Sequence, residues 1–351
     1  MCSSDLEAAA NLNRYPDASQ TALREEIAAV HGLDATRIIC GNGSDELIQL
    51  VIRAYTSAGD EVLLSENGFV MCEIHAHAQG ATVVKAPERE DRVDVDALLA
   101  RVTSRTRVLC IANPNNPTGT YLPLAEIQRL HAALPSGVML LLDGAYAEYA
   151  TAADYDAGQR LVEQHANVVM TRTFSKIYGL PALRIGWAYC PPPAIEAIQR
   201  IRSPFNASSA ALAAATAAVR DQDWIMRVRE HNAMWLQRIA EHLGTLGLEV
   251  VPSVANFYLI RFPAGSGMDA NGAAAFVAHL AAEDSAGLLR AEAIRAALAV
   301  GIDLDHSPAE PQGASASPLA GFRLDLTSAA ADAPPALLPQ PDASDRLTRV
   351  F

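Results

Sequence analysis

Residues 138–143 read V-M-L-L-L-D. Five consecutive apolar side chains show no period-2 alternation, so both faces of the segment must be covered, as in a buried parallel strand. The run stops at a carboxylate, Asp143, and Tyr146 follows three residues later. A carboxylate at the C-terminal end of a buried strand faces the ligand crevice of an open α/β sheet. A helix N-cap is a commoner use of an aspartate after a strand. This position alone leaves both uses open.

Working outward, short apolar runs flank it at 107–112 and 168–171, with a helical spacing at 124–134. Upstream, 37–40, 61–65 and 81–85 read as strands, and 21–31, 47–55, 69–80 and 95–102 as helices. Thr21 is the expected cap of the first helix and Gly32 its stop. In the helix at 69–80 the spacing places Met71, Ile74 and Ala78 inward. Strands alternating with helices from 37 to about 190 predict βαβ units and a mostly parallel sheet. P-P-P at 191–193 breaks the pattern. Helices at 194–201, 207–220 and 224–246 and strands at 249–251 and 257–262 then suggest a second, smaller lobe. Beyond 263, helices are expected at 273–282 and 291–300 and a short strand at 322–326. The Pro-, Ala-, Ser- and Asp-rich stretches 305–319 and 329–344 read as loop or disorder.

The chain has 351 residues, enough for two lobes with sizeable cores. Half the residues are hydrophobic and 19% are charged, a globular balance. The net charge of −13, without a basic run, argues against nucleic acid or an anionic membrane surface as partner. No apolar stretch has the length of a membrane span, and no signal-peptide pattern opens the chain. Five scattered cysteines, Cys2, Cys40, Cys72, Cys110 and Cys190, include no C-x-x-C pair and suit a reducing cytoplasm. Cys40 and Cys110 lie in strand-like runs and read as inert core residues. His75 and His77 have no carboxylate or cysteine at ligand spacing, so no metal is expected.

Three segments can carry chemistry. G-N-G-S-D-E at 41–46 is a strand, glycine turn and helix start, a geometry that aims free N–H groups at an anion. Ser44 and Asp45 serve equally well as plain N-caps, and the G-K-[ST] ending of a P-loop is absent. N-P-N-N-P-T-G-T at 113–120 is a rigid turn at a strand's end, able to aim its amides or to be an ordinary tight loop. M-T-R-T-F-S-K-I-Y-G-L-P-A-L-R-I-G-W at 170–187 holds one lysine, Lys176, beside Ser175, with Arg184 ahead of Gly186. A desolvated lysine is a usable nucleophile or base, and arginine is a two-pronged phosphate clamp. Surface exposure is the usual fate of both residue types.

These motifs, in this order, together with N-R-Y-P-D at 13–17, D-x-A-Y at 143–146 and A-N-F at 255–257, resemble the aminotransferases of fold type I that depend on pyridoxal phosphate (PLP). The likeness is greatest to the histidinol-phosphate aminotransferases and covers roughly residues 11–262. It implies a large domain with a mostly parallel seven-stranded sheet flanked by helices, plus a smaller α+β C-terminal domain. The matching divisions are a truncated N-terminal arm (1–16), a PLP-binding domain (17–220) and a small domain (221–351).

The resemblance also implies roles. Lys176 would be the Schiff-base amine and proton shuttle, and Asp143 the partner of the pyridinium nitrogen. Asn116 and Tyr146 would bond the ring oxygen, and Phe69 would stack on the ring. Ser44, Asp45, Ser175 and Arg184 would hold the phosphate, joined by Tyr15 from a partner subunit of a homodimer. Asn116, Arg290 and Arg323 would contact substrate. Three features depart from the family pattern: Gly144 replaces an acidic residue, E-N-G-F-V-M-C at 66–72 replaces P-T-aromatic-x-M-Y, and Arg323 has no following glycine. The implied reaction converts histidinol phosphate and 2-oxoglutarate to imidazole-acetol phosphate and glutamate. The alternatives are another aminotransferase of class I/II, an amino-acid phosphate decarboxylase, or a PLP-binding fragment with little activity.

Overall fold

The computed structural model describes residues 11, 13–245 and 247–261. The helices expected at 273–282 and 291–300, the strand at 322–326, and Arg290 and Arg323 lie outside the described residues.

The strands in chain order are β1 Ile38–Gly41, β2 Glu61–Ser65, β3 Thr82–Ala86, β4 Glu88–Arg89, β5 Arg92–Val93, β6 Thr106–Ala112, β7 Met139–Asp143, β8 Val168–Thr173, β9 Gly186–Tyr189, β10 Glu249–Val250 and β11 Ile260–Arg261. Seven of them form one sheet in the order β1-β9-β8-β7-β6-β2-β3. The pairs β2–β3, β2–β6, β6–β7 and β7–β8 are parallel, whereas β9 runs antiparallel to both β8 and β1. The predicted mostly parallel seven-stranded sheet is therefore observed. The antiparallel strand β9 was not among the predicted strands, because G-W-A-Y is short and opens on glycine.

The central parallel strands β2, β6, β7 and β8 are buried on both faces, which is why apolar residues follow one another in them, whereas the edge strand β3 leaves Thr82 and Lys85 exposed. In β7 and β8, Leu140, Leu142, Val168 and Met170 join one core cluster. Met139, Leu141 and Val169 join the cluster on the other face. Full burial of each such side chain contributes roughly 1.5–3 kcal/mol. The same alternation carries Asp143 and Thr171 onto the face of Met139, Leu141 and Val169.

That face is covered by the helix Gly43–Tyr55, which buries Leu47, Ile48, Leu50, Val51 and Ile52. Its first turn carries Asp45 and Glu46, which suits the positive end of the helix dipole. Glu46 Oε2 also accepts from the Asn42 N–H at 2.6 Å, stapling the entry turn. A second helix, Val70–Ala78, packs beside it and corrects the expected inward face. Cys72 and Ala76 are buried, while Ile74 is 44% exposed. The two small side chains allow close approach to the neighbouring helix, whereas Met71 is half-buried and Ile74 and Ala78 are exposed.

The helix Thr21–His31 begins and ends as predicted, but its cap differs. Gln20 occupies the cap position in a left-handed conformation (φ 56°), and the Thr21 N–H donates to Asp17 Oδ2 at 3.0 Å. Gly32 closes the helix at φ 66°. Late in the chain, the helix Gln222–Thr245 buries Ile225, Val228, Asn232 and Leu243. The 257–262 strand is confined to β11, which pairs with β10. Asn232 Nδ2 donates to Ala255 O at 2.9 Å within this region, and Arg229 Nε donates to Glu148 O at 2.7 Å, tying the helix to the segment after β7. Among the described residues no helix is long and apolar enough to cross a membrane.

Candidate active site

The strand register sets one edge of the sheet. Ala112 pairs with Asp143, Asp143 with Thr171, Thr173 with Gly186, and Gly186 with Gly41. The carboxyl ends of β6, β7, β8 and β1 and the start of β9 therefore open on one crevice, as in other open α/β sheets.

Asp143 closes β7 and is 4% exposed. Burial pushes its carboxyl up to about 6, against the opposing effects of the Thr171 hydrogen bond, the Lys176 charge and the Ala145 N–H. Asp45 adds a smaller upward push. Tyr146, three residues on, is buried with its ring edge-to-face against Phe257 at 5.0 Å. Asn116 Nδ2 donates to its hydroxyl at 3.3 Å. Lys176 Nζ lies 5.0 Å from the Tyr146 ring centroid. An amine, a phenol, an amide and a buried carboxyl thus meet over the strand ends.

The 113–120 loop is held rigidly. Asn113 Oδ1 accepts from the Leu122 N–H at 2.8 Å, and its Nδ2 donates to Leu122 O at 3.1 Å. Across the loop, Asn115 N–H donates to Thr120 O and Gly119 N–H to Asn115 O, both at 2.8 Å. Gly119 adopts φ +73°, and a Cβ there would run into the Ser253 side chain.

On the other side of the crevice, Arg184 Nη1 donates to Ser175 Oγ at 3.2 Å and to Pro181 O at 3.0 Å. Arg184 is non-glycine at φ 49°, a conformation that costs about 1–2 kcal/mol. Its other nitrogen lies over Gly43, where a Cβ would stand 2.6 Å from Nη2. Gly43 itself needs φ +84°. A guanidinium, a hydroxyl and the free N–H groups of the helix Gly43–Tyr55 thus converge, an arrangement suited to an anion.

Of the remaining predicted residues, Phe69 is half-buried directly before the helix Val70–Ala78. The Asp45 carboxylate contacts His75 Nε2 at 2.9 Å. His75 therefore has a carboxylate partner after all, supplied by a distant helix rather than at local spacing. Among the described residues no group of three or more His, Cys, Asp or Glu is placed to hold a metal ion. Tyr15 is 81% exposed and stacks on Phe205 at 4.6 Å.

A profile of the family described as aminotransferase class I and II matches residues 3–296. The chain belongs to the class I and II aminotransferases. Among curated relatives of this aminotransferase, the histidinol-phosphate aminotransferase of Maricaulis maris is 49% identical over 269 residues, covering 77% of this chain and 74% of that protein. The one from Paramagnetospirillum magneticum is 51% identical over the same shares. Among solved structures, the histidinol-phosphate aminotransferase of Sinorhizobium meliloti, in complex with pyridoxal-5'-phosphate, superposes with a TM-score of 0.74 at 30% identity. That match covers 84% of this aminotransferase and 86% of the other chain.

Two contacts of the aminotransferase are not named by its local sequence, one in the crevice and one on the opposite face of the sheet. Phe257 carries no titratable group, and its motif A-N-F suggested no contact; only folding brings it to Tyr146. Arg172, inside the lysine segment, turns to the opposite face and pairs with the buried Glu148 at 2.8 Å. An arginine in a strand that opens on V-V-M is the available signal, because a buried guanidinium demands a partner.

Proposed function

We propose that this aminotransferase moves the amino group of histidinol phosphate to 2-oxoglutarate, giving imidazole-acetol phosphate and glutamate, with PLP as cofactor. The carrying observation is Lys176 Nζ at 5.0 Å from the Tyr146 ring, beside the buried Asp143. The choice of substrate is supported by relatives of that name at 49% and 51% identity.

The donor set fits the cofactor. Arg184, Ser175 Oγ and the N–H groups of Ser44 and Asp45 form a cradle for a phosphate, kept open by the missing side chain of Gly43. Asp143 would bind the ring nitrogen, Asn116 and Tyr146 the ring oxygen, and Phe69 one ring face. When bound, the cofactor supplies an aldehyde for amines and a ring that draws electrons from the adjoining substrate carbon. Lys176 Nζ would hold it covalently, and would carry the proton between the substrate α-carbon and the cofactor carbon that receives the amino group. Ionised Asp143 keeps the ring nitrogen protonated. Tyr146 OH and Asn116 Nδ2, already hydrogen-bonded to each other, would orient the ring by its oxygen. Arg290 and Arg323 are the proposed partners of the carboxylates of 2-oxoglutarate and glutamate.

The working unit is proposed to be a homodimer in the cytoplasm, with domains at 17–220 and 221–351. The exposed Tyr15–Phe205 stack supports the first point, as a ring free to complete a second copy's phosphate site. The described cysteines, all free and buried, suit a reducing compartment.

Titrating the purified protein with histidinol phosphate should convert the visible band of bound PLP to that of its amine form. Adding 2-oxoglutarate should restore it. A protein that binds no PLP, or whose band responds only to other amines, overturns the reading.

A further inference from the structure

In β8 the apolar run V-V-M gives way to T-R-T, and the first of these threonines, Thr171, is fully buried. A valine would suit a buried strand position better, since a hydroxyl out of water needs a hydrogen-bond partner. Thr171 has one. It is the register neighbour of Asp143 across β7 and β8, and its Oγ1 donates to Asp143 Oδ1 at 2.8 Å. One oxygen of the carboxylate is thereby engaged from below, and the side chain is held in one orientation.

We propose that Thr171 is a positioning residue for the amino-transfer site: its hydroxyl secures Asp143 through Oδ1, as a carboxylate, and leaves Oδ2 for the cofactor's ring nitrogen. This rests on the cofactor reading above.

The setting makes such support necessary. Burial works against the ionised form of Asp143. Asp45, in the first turn of the helix Gly43–Tyr55, adds to that. Cys72 on the helix Val70–Ala78 and the phenol Tyr155 also face the carboxyl. Lys176 and the Ala145 N–H favour the charge. Thr171 is the opposing influence that ranks directly after burial. A hydrogen bond to the charged form of an acid lowers its pKa, and losing the bond raises it.

The test is PLP binding by the cofactor-free protein between pH 5 and 8.5, followed by absorbance, for the wild type, Thr171→Val, Thr171→Ala and Thr171→Ser. Loss of the hydroxyl should move the acid-side midpoint of binding up by about one pH unit, the shift expected for one lost charge-assisted bond. Affinity should then fall about tenfold near pH 5.5 and little at pH 8.5. Thr171→Ser should keep the wild-type midpoint. A merely structural role would lower the melting temperature without moving the midpoint. An unshifted midpoint in either folded hydroxyl-free variant overturns the proposal. So does failure of both to fold while the serine variant folds, which would assign the hydroxyl to the fold alone. A wild type that binds no PLP at any pH instead removes the cofactor reading, a separate result.

Discussion

Arg172 and Glu148 form a buried ion pair, with side chains 7% and 4% exposed, linked from both Nη2 (2.8 Å) and Nε (3.1 Å) to Glu148 Oε1. The pair lies on the sheet face opposite Asp143. Its removal from one side strands a charge out of water. Glu148→Ala is expected to cost about 3–5 kcal/mol in urea unfolding. The double variant Arg172→Met/Glu148→Leu should cost less than either single change. Equal or additive losses would contradict the pairing.

Asp143 gives a pH dependence with a definite sign. Its folded pKa, about 6, stands above the ordinary 3.8. The folded chain therefore holds this proton more tightly than the unfolded chain. Stability without cofactor falls as pH rises through that window, by about 3 kcal/mol in full. Asparagine does not titrate. The stability of cofactor-free Asp143→Asn, relative to wild type, should improve by about 2.5 kcal/mol between pH 4 and 7.5. A flat difference across that range would rule out the raised pKa.

Gly186 meets backbone on every side. A Cβ there would stand 2.6 Å from Gly43 C, 2.8 Å from Arg172 O and closer still to Ser44 N. Gly186→Ala is expected to lower stability by about 1–3 kcal/mol and to weaken PLP retention together. Gly244, inside the helix Gln222–Thr245, has open space around it. Gly244→Ala should instead add about 0.5–1 kcal/mol. Thermal melts of the two variants, with bound PLP measured alongside, check both.

Lys176→Ala removes the proposed tether and base but little packing, since the lysine is only half-buried. Turnover should fall by about 10²–10⁴ or more, with the melting temperature of the cofactor-free form nearly unchanged. Borohydride should fix PLP to the wild-type chain, detected by mass, and not to the variant. Fixation at another lysine in the wild type would move the chemistry elsewhere.

The parallel strands were legible because double-sided burial writes itself as consecutive apolar residues, as in Met139–Asp143. The crevice was legible as far as its residues sit at strand ends or in glycine turns: Asp143, Asn116, Gly43, Lys176. What escaped depended on partners far along the chain. The His75–Asp45 contact and the Tyr146–Phe257 packing join residues whose local sequence names no partner. The face of the helix Val70–Ala78 was misjudged because period alone weighs bulk, whereas close helix packing there selects Cys72 and Ala76. β9 was overlooked because its pairing depends on β1, far upstream, as much as on its own residues.

Because β9 returns alongside β8, Lys176 and Arg184 ride on one short arch of chain whose two feet are laced together at Thr173 and Gly186. The proposed amine and the proposed anion anchor therefore share one continuous backbone segment, closed at its base by strand pairing. Their relative placement is thus set by the route of one piece of chain rather than by the packing of two.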